Sequence, residues 1–462
     1  MVSYSVGCVK RSADAPVGYK DWCVRAALDA PYETLHIIMG ARILLFLGVG
    51  LVVACVGAQE QEPVAARFTI ETAGQACAGC TLIALDENGT LQVNDVSGRH
   101  ELKSYIELRQ EGQKRPPLLT RNFVSLSNGD RLPLDPEAAA KWEEGRLHVW
   151  PAKPLAVGKA LSLFAPHVVL LFWSLPDGVE DAERFFALLQ EEPRKRDVVY
   201  LQNGDRIEGT LTTLSGNDGC VIATAGRKLH TAWSKLAGIA FNTDRQARLR
   251  TKKSYTRAVL DGGARVNFLT LRFEEKTRRW VGKTQFGATW EFPESSVLAL
   301  DVRHGQAVDL ADLTAARYEH RPHLGVSWPL MKDAAATGQP LRLHGNTYEK
   351  GLGTHAACQI NYKLDGQYQW FDARVGIDES SRRGRARVAI ELDGKRIDLN
   401  DGKELNSQTA PLSLRLDVRA VRTLTLIVEL GTFGDVQANV NWANARLIRS
   451  ENASMKDANN KK

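Results

Sequence analysis

The sequence predicts a mainly β chain: N-terminal repeats of small β units, barrel-like or in stacked sheets, followed by a C-terminal antiparallel β-sandwich or jelly roll. Three features carry that expectation. The phrases LSNGDRL (126–132) and LQNGDRI (201–207) recur with apolar residues on both sides, and Asn-Gly-Asp is hairpin-turn chemistry, because asparagine and glycine reach positive φ at little cost. Between residues 324 and 448 a period-two alternation returns again and again: Phe371, Ala373, Val375; Val388, Ile390, Leu392; Leu412, Leu414, Leu416, Val418; Leu424, Leu426, Val428, Leu430. That is the pattern of strands with one face on a core. Helical periodicity is convincing in one stretch, EDAERFFALLQEEP (180–193), with Phe185, Leu188 and Leu189 on one face.

Taken in order, the 462 residues open on a leader, expected to cover 1–58. Residues 1–38 lack signal character, which points to a start at Met39. From there Arg42 precedes an apolar run from Ile43 to Val56, too short to span a bilayer comfortably and of signal-peptide length. Residues 39–58 are read as a signal peptide cleaved after Ala58. The alternative takes VVAC as a lipoprotein box, with Cys55 acylated and tethering the protein to a membrane. Either way the mature chain is exported, to the periplasm, the cell envelope or the outside of the cell.

Residues 67–305 read as about four copies of one turn-led unit. TAGQACAGCTL (72–82) aligns with QNGDRIEGTLT (202–212), and LDGGARV (260–266) opens a weaker copy. That copy closes on TWEFPESSVLALDV, which places Val297 and Leu300 over Leu236 and Ile239 of TAWSKLAGIAF. The run LSLFAPHVVLLFWSLP (161–176) is interrupted by Pro166, so two buried strands explain it better than a membrane span. Cys77 and Cys80 form a C-x-x-C that suits a disulfide or a pair of idle thiols in an oxidising compartment. Zinc would need a second pair, and Cys220 and Cys358 stand singly. The sandwich is expected over 320–450, with a disordered tail at 451–462. A net charge of +6 on this length gives no electrostatic footprint for nucleic acid.

YEKGLGTHA (348–356) fits the G-x-G-x-x-A spacing of a dinucleotide loop. Such a loop must open a helix, yet Ile360, Tyr362 and Leu364 alternate as a strand. No G-x-S-x-G occurs, which removes one nucleophile elbow. Taken together, YEKGLGTH, FDARVGID, LDGK and NWANARL resemble the NPCBM family of carbohydrate-binding modules. The likeness runs from Ser327 to Ile448. It implies a galactose-binding-like β-sandwich, often found beside glycoside hydrolase domains in secreted proteins, with a carbohydrate-binding role and a structural calcium. The repeats look like those preceding such modules in exported planctomycete-type proteins. One departure is Asn441, where the family usually has aspartate before the tryptophan; an oxygen is kept but the charge is lost.

The expected function is therefore non-catalytic binding of a glycan or polysaccharide through the C-terminal module. The alternatives are a glycoside hydrolase or other enzyme with its site in the N-terminal β region, and a cell-envelope scaffold without sugar binding. Sugars are held by an aromatic face against C–H groups and by polar side chains on hydroxyls. Trp370 is expected exposed, since its neighbour Phe371 begins the apolar set. The candidate site is Trp370, His355, Asp378 and Asn441, with Tyr348 nearby. Mass spectrometry of the native protein should find Gln59, or an acylated Cys55, at the N-terminus. An intact cytoplasmic chain beginning at Met1 would defeat the export reading.

Overall fold

The computed structural model describes residues 65–449, apart from 75, 156, 157, 216, 217, 250, 252 and 324. The leader with Cys55 and the tail at 451–462 lie outside the described residues. The repeated phrases translate into a repeated shape. In the third repeat the strands Asp197–Leu201, Arg206–Ser215, Gly219–Thr224 and Arg227–Thr231 form a meander, and Leu236–Ala240 returns to pair with the first strand. The first repeat closes in the same way, Phe68 opposite Gln110, and the fourth closes Tyr255–Leu260 on Val297–Arg303. The second closes Phe123–Leu126 on Val168–Phe172 but carries a separate three-stranded sheet between them. Closure gives each unit an interior and pairs its edges. A 3-10 turn precedes the returning strand in the last three repeats, at Ala165–His167, Trp233–Lys235 and Glu294–Ser296. Val297 and Leu236, aligned by sequence, both begin that strand and are both buried. The two NGD turns hold Gly129 and Gly204 at φ 83° and 86°, where a Cβ would be strained.

Among the described residues there is one α-helix, Ala182–Glu191, joining the second and third repeats. Its N-terminus is capped by the Asp181 carboxylate, which accepts from Arg184 N at 3.0 Å. The expected buried face is rotated. Phe186 and Leu189 enter the core against Phe123 and Phe172, Phe185 is half-buried, and Leu188 is 61% exposed. Aromatic edge-to-face packing between Phe186 and both phenylalanines sets the helix rotation, and the sequence period alone does not distinguish Phe185 from Phe186.

The C-terminal part is a sandwich of two antiparallel sheets. One runs Met331–Lys332, Gly351–His355, Asn439–Arg449, Tyr368–Ile377, Leu412–Asp417. The other runs Arg317–His320, Cys358–Lys363, Thr423–Leu430, Arg385–Leu392, Lys395–Asp398. Phe371, Val375, Val388, Ile390, Leu426, Val428 and Trp442 meet between them, as the alternation requires. The sandwich begins before the expected residue 320. Ala307–Asp309 pairs with Asn439–Arg449, Leu310 lies in the core, and Arg317–His320 is an edge strand. A short apolar stretch such as AVDLADL carries too few alternations to declare its sheet in advance. In the KGLGT stretch Gly351 and Gly353 run close beside neighbouring backbone: a Cβ would strike Trp442 O at the first and Ala334 O at the second.

Buried charge joins the sandwich to the repeats. Glu349 accepts from Arg257 Nε at 2.7 Å and from Arg265 Nε. Arg446 pairs with Glu71 and lies 3.7 Å from Glu107 and 4.0 Å from Asp372. Asp372 also holds Arg415 at 2.7 Å, and Arg303 bridges Asp309 at 2.7 Å and Asp301 at 3.5 Å. Burial pushes the Glu349 carboxyl up, but Arg257 and Arg265 outweigh it and hold the group well below the usual carboxylate range. Removing one partner of such a cluster leaves charge buried without compensation, at a cost of about 3–5 kcal/mol. Glu349→Gln should therefore lower the unfolding free energy by about that much at pH 7. The contribution is complete above the ordinary glutamate pKa and is lost as pH falls below it. Denaturant melts should thus converge for wild type and variant on acidification.

Candidate functional site

A ladder of buried polar groups crosses one end of the sandwich. His355, at the end of its strand, shares a 2.8 Å hydrogen bond between Nδ1 and Asn439 Oδ1. Asn439 Nδ2 donates to Ser381 Oγ at 2.9 Å. Ser381 N donates to Asp378 O at 2.9 Å. Asp378 Oδ2 accepts from Asn441 Nδ2 at 2.6 Å, and that nitrogen also reaches Arg342 O at 3.2 Å. His355, Asp378 and Asn441 are 4%, 2% and 0% exposed, so they support a surface from below rather than present one. Burial pushes the His355 imidazole down, leaving it neutral at pH 7. Asn439 and Asn441 alternate with Val440 and Trp442 on a strand buried on both faces.

Above this ladder three loops gather. The Trp328 ring stacks on His355 at 4.4 Å and 25°, while the Trp328 backbone N–H donates to His320 Nδ1 at 3.3 Å and its backbone carbonyl accepts from the Tyr318 hydroxyl at 2.7 Å. The loop 431–437 closes over from the other side. A Cβ added at Gly434 would lie 3.6 Å from the His323 ring, and Arg385 lies 5.1 Å from the Phe433 ring centre. Gln437 Oε1 accepts from Arg383 N at 3.0 Å, which draws in the loop that follows Asp378. Val326, Phe433 and Val436 are 62%, 55% and 47% exposed, and among the described residues they are the exposed large apolar side chains of the sandwich.

The other two expected residues sit elsewhere. Trp370, expected exposed, is half-buried in a small cluster with Ala73, Ile106, Ala307 and Ile448, beneath Arg415 at 6.0 Å. It lies eight residues from Asp378 along an extended chain, about 26 Å away at strand rise. Tyr348 pairs across a hairpin with Leu341, beside Glu349 at the junction. The repeat surface, which local alternation cannot reveal, is what covers both. Trp328 and Phe433 carried weak signals: one was among the domain's aromatics, the other sits between glycines in GTFGDV.

Cys77 and Cys80 are joined as a disulfide. They and Asp95 are, among the described residues, the one group of three or more His, Cys, Asp or Glu side chains within ligating reach of one another. With both sulfurs bonded to each other, no thiolate pair is offered. Burial pushes the lone thiols up, Cys220 to about 11 and Cys358 to about 12, which makes both poor nucleophiles. Calcium takes six to eight oxygen ligands. Asp378 Oδ1 accepts from Ser380 N at 3.0 Å and from the Ser380 hydroxyl, and Oδ2 faces the Asn441 amide nitrogen. Donors thus occupy the carboxylate, and the set does not fit a calcium ion there.

Residues 306–448 are an NPCBM/NEW2 domain, the family whose model they match. A Renibacterium salmoninarum protein named as an endo-alpha-N-acetylgalactosaminidase is 31% identical over 120 residues, 26% of this chain and 8% of that protein. The chain therefore spans under a tenth of the length of this relative. Among solved structures, the CBM51 of a Clostridium perfringens GH95 in complex with methyl-galactose is 23% identical over 30% of this chain and 99% of its own, with a TM-score of 0.28. The tandem CBM51 modules of a Streptococcus pneumoniae family 98 glycoside hydrolase are 13% identical over 73% and 93%, also with a TM-score of 0.28. No helix among the described residues is long and apolar enough to cross a membrane.

Asn441→Asp would set a second carboxylate against the buried Asp378. It should cost about 1–3 kcal/mol at pH 7. Because one of the pair then holds a proton only in the folded state, the penalty should shrink as pH falls. Thermal melts between pH 7 and pH 5 read this directly.

Proposed function

We propose that this is an exported, non-catalytic protein whose NPCBM/NEW2 domain binds glycan at the loops 320–328, 378–385 and 431–437. The observation that carries this is that Val326, Phe433 and Val436 are exposed on two loops that approach each other where Gly434 nears the His323 ring, the first of them holding the half-buried Trp328 on His355. Apolar side chains held in water on one small surface mark a binding site. Phe433, with Arg385 beside its ring, and Trp328 offer faces for the C–H side of a pyranose. Asp435 and Arg383 offer hydrogen bonds to its hydroxyls. His355, Asp378 and Asn441 act as positioning residues, fixing the stack and the loop base. Trp370 and Tyr348 belong to the junction with the repeats. The name of the Renibacterium relative makes sugars of galactose configuration the first ligands to try.

A glycan array probed with the whole chain should return a ligand. Titration should then show Phe433→Ala and Trp328→Ala weakened by about 1–3 kcal/mol, roughly 5- to 150-fold, with Trp370→Ala unchanged. An array that stays dark for the folded wild type would favour the scaffold role, and a selective loss in Trp370→Ala would move the site.

A further inference from the structure

A second concave place in the molecule shares no residue with the loop surface. Between the second and fourth repeats, the helix Ala182–Glu191 and the sandwich hairpin lies a cavity of about 250 Å³. Arg131, Arg257 and Arg265 line it together with Glu349, and Leu118 and Pro340 contribute apolar wall. Arg131 is the arginine of the LSNGDRL turn. Its counterpart in the third repeat, Arg206, is exposed, whereas Arg131 is 6% exposed.

Arg131 and Arg265 stand directly opposite each other on paired strands, a placement in which like charges repel. One carboxylate, Glu349, serves Arg265 and Arg257 together. Arg115 is matched by Glu107 and Asp301, and Glu183 by Arg342. Arg131 has no ion-pair partner among the described residues. One of its five N–H groups donates to Leu119 O at 2.8 Å, and its guanidinium lies 4.5 Å from the Phe123 ring centre and 5.7 Å from that of Phe186. The buried Arg194, also without an ion pair, is more fully held: three backbone carbonyls take its Nε at 3.1 Å and its Nη1 at 2.5 and 3.1 Å, and only its Nη2 lacks a partner. Burial, with Arg265 and Arg257 nearby, pulls Arg131 down to about 10, so it remains a cation at neutral pH.

We propose that this cavity binds a small carboxylate of monosaccharide size, with the Arg131 guanidinium as its anchor. A planar guanidinium with free N–H groups matches a carboxylate by paired hydrogen bonds. A volume below that of drug-sized pockets limits the ligand to roughly one ring. The carboxylate comes either from an acidic sugar or from a free short-chain acid.

Calorimetric titration of the whole chain with D-glucuronate, D-glucose and lactate tests this. Glucuronate should bind, with glucose at least about tenfold weaker. Glucuronate alone assigns an acidic sugar; equal binding of lactate supports the site and assigns a free acid. Arg131→Met should lose at least about tenfold in affinity while leaving the ligand-free melting temperature unchanged or higher. A purely structural arginine would instead lower it. Ala187→Phe, which adds bulk at the exposed mouth and leaves every charge in place, should abolish binding and carries the test should Arg131→Met fail to fold. Phe433→Ala should retain glucuronate binding, which separates this site from the loop surface. Silence with both acids, equal binding of glucose, or unaltered affinity in both cavity variants overturns the proposal.

Discussion

Glu349 reaches out of the sandwich hairpin and sits between two arginines of the fourth repeat, and much of the molecule is arranged around that one buried carboxylate. Charge removed from water costs several kcal/mol per ion and is recovered only where geometry and further hydrogen bonds are good. Arg446, Asp372, Arg303 and Asp301 extend the same condition across the junction. Apolar contact alone would tolerate sliding; paired buried charge tolerates one register. Tyr348 and Trp370 are half-buried at that junction.

The loop end of the sandwich is built on the opposite economy. Its polar groups carry one charge, the carboxylate of Asp378, and pair with one another, His355 with Asn439 and Asn441 with Asp378. A ladder of this kind, paired throughout except at Asn441 Oδ1, stiffens what stands on it. The apolar side chains above it are therefore held in water rather than folded inward. A rigid apolar platform loses little conformational freedom when a ligand settles on it.

Much of this was legible in the residues. Turn chemistry and alternation announced the repeats, their returning strands and both sheets of the sandwich, because those features depend on neighbours in sequence. His355, Asp378 and Asn441 could be grouped because the motifs that contain them recur together. What escaped depended on distant surfaces. Whether Trp370 meets water is decided by Ala73 and Ile106, some three hundred positions upstream. Which face of the helix is buried is decided by Phe123 and Phe172. Arg131 and Arg206 occupy the same word, NGDR, and only the assembly of the repeats sends one into a cavity and leaves the other on the rim.

The strand Asn439–Arg449 pairs with Gly351–His355, Ala307–Asp309 and Tyr368–Ile377, so the centre of one sheet is supplied by a strand that leaves the ribosome after the other strands of the sandwich. Each repeat can close as soon as its own few dozen residues have emerged. The sandwich cannot, since its middle is missing until residue 449 is through. During that interval Phe371, Leu352 and Val375 lack their cover, and Glu349 has no fixed frame from which to reach the arginines. Biogenesis of this chain thus has a vulnerable window before residue 449 emerges, when finished repeats wait beside an unfinished and sticky partner.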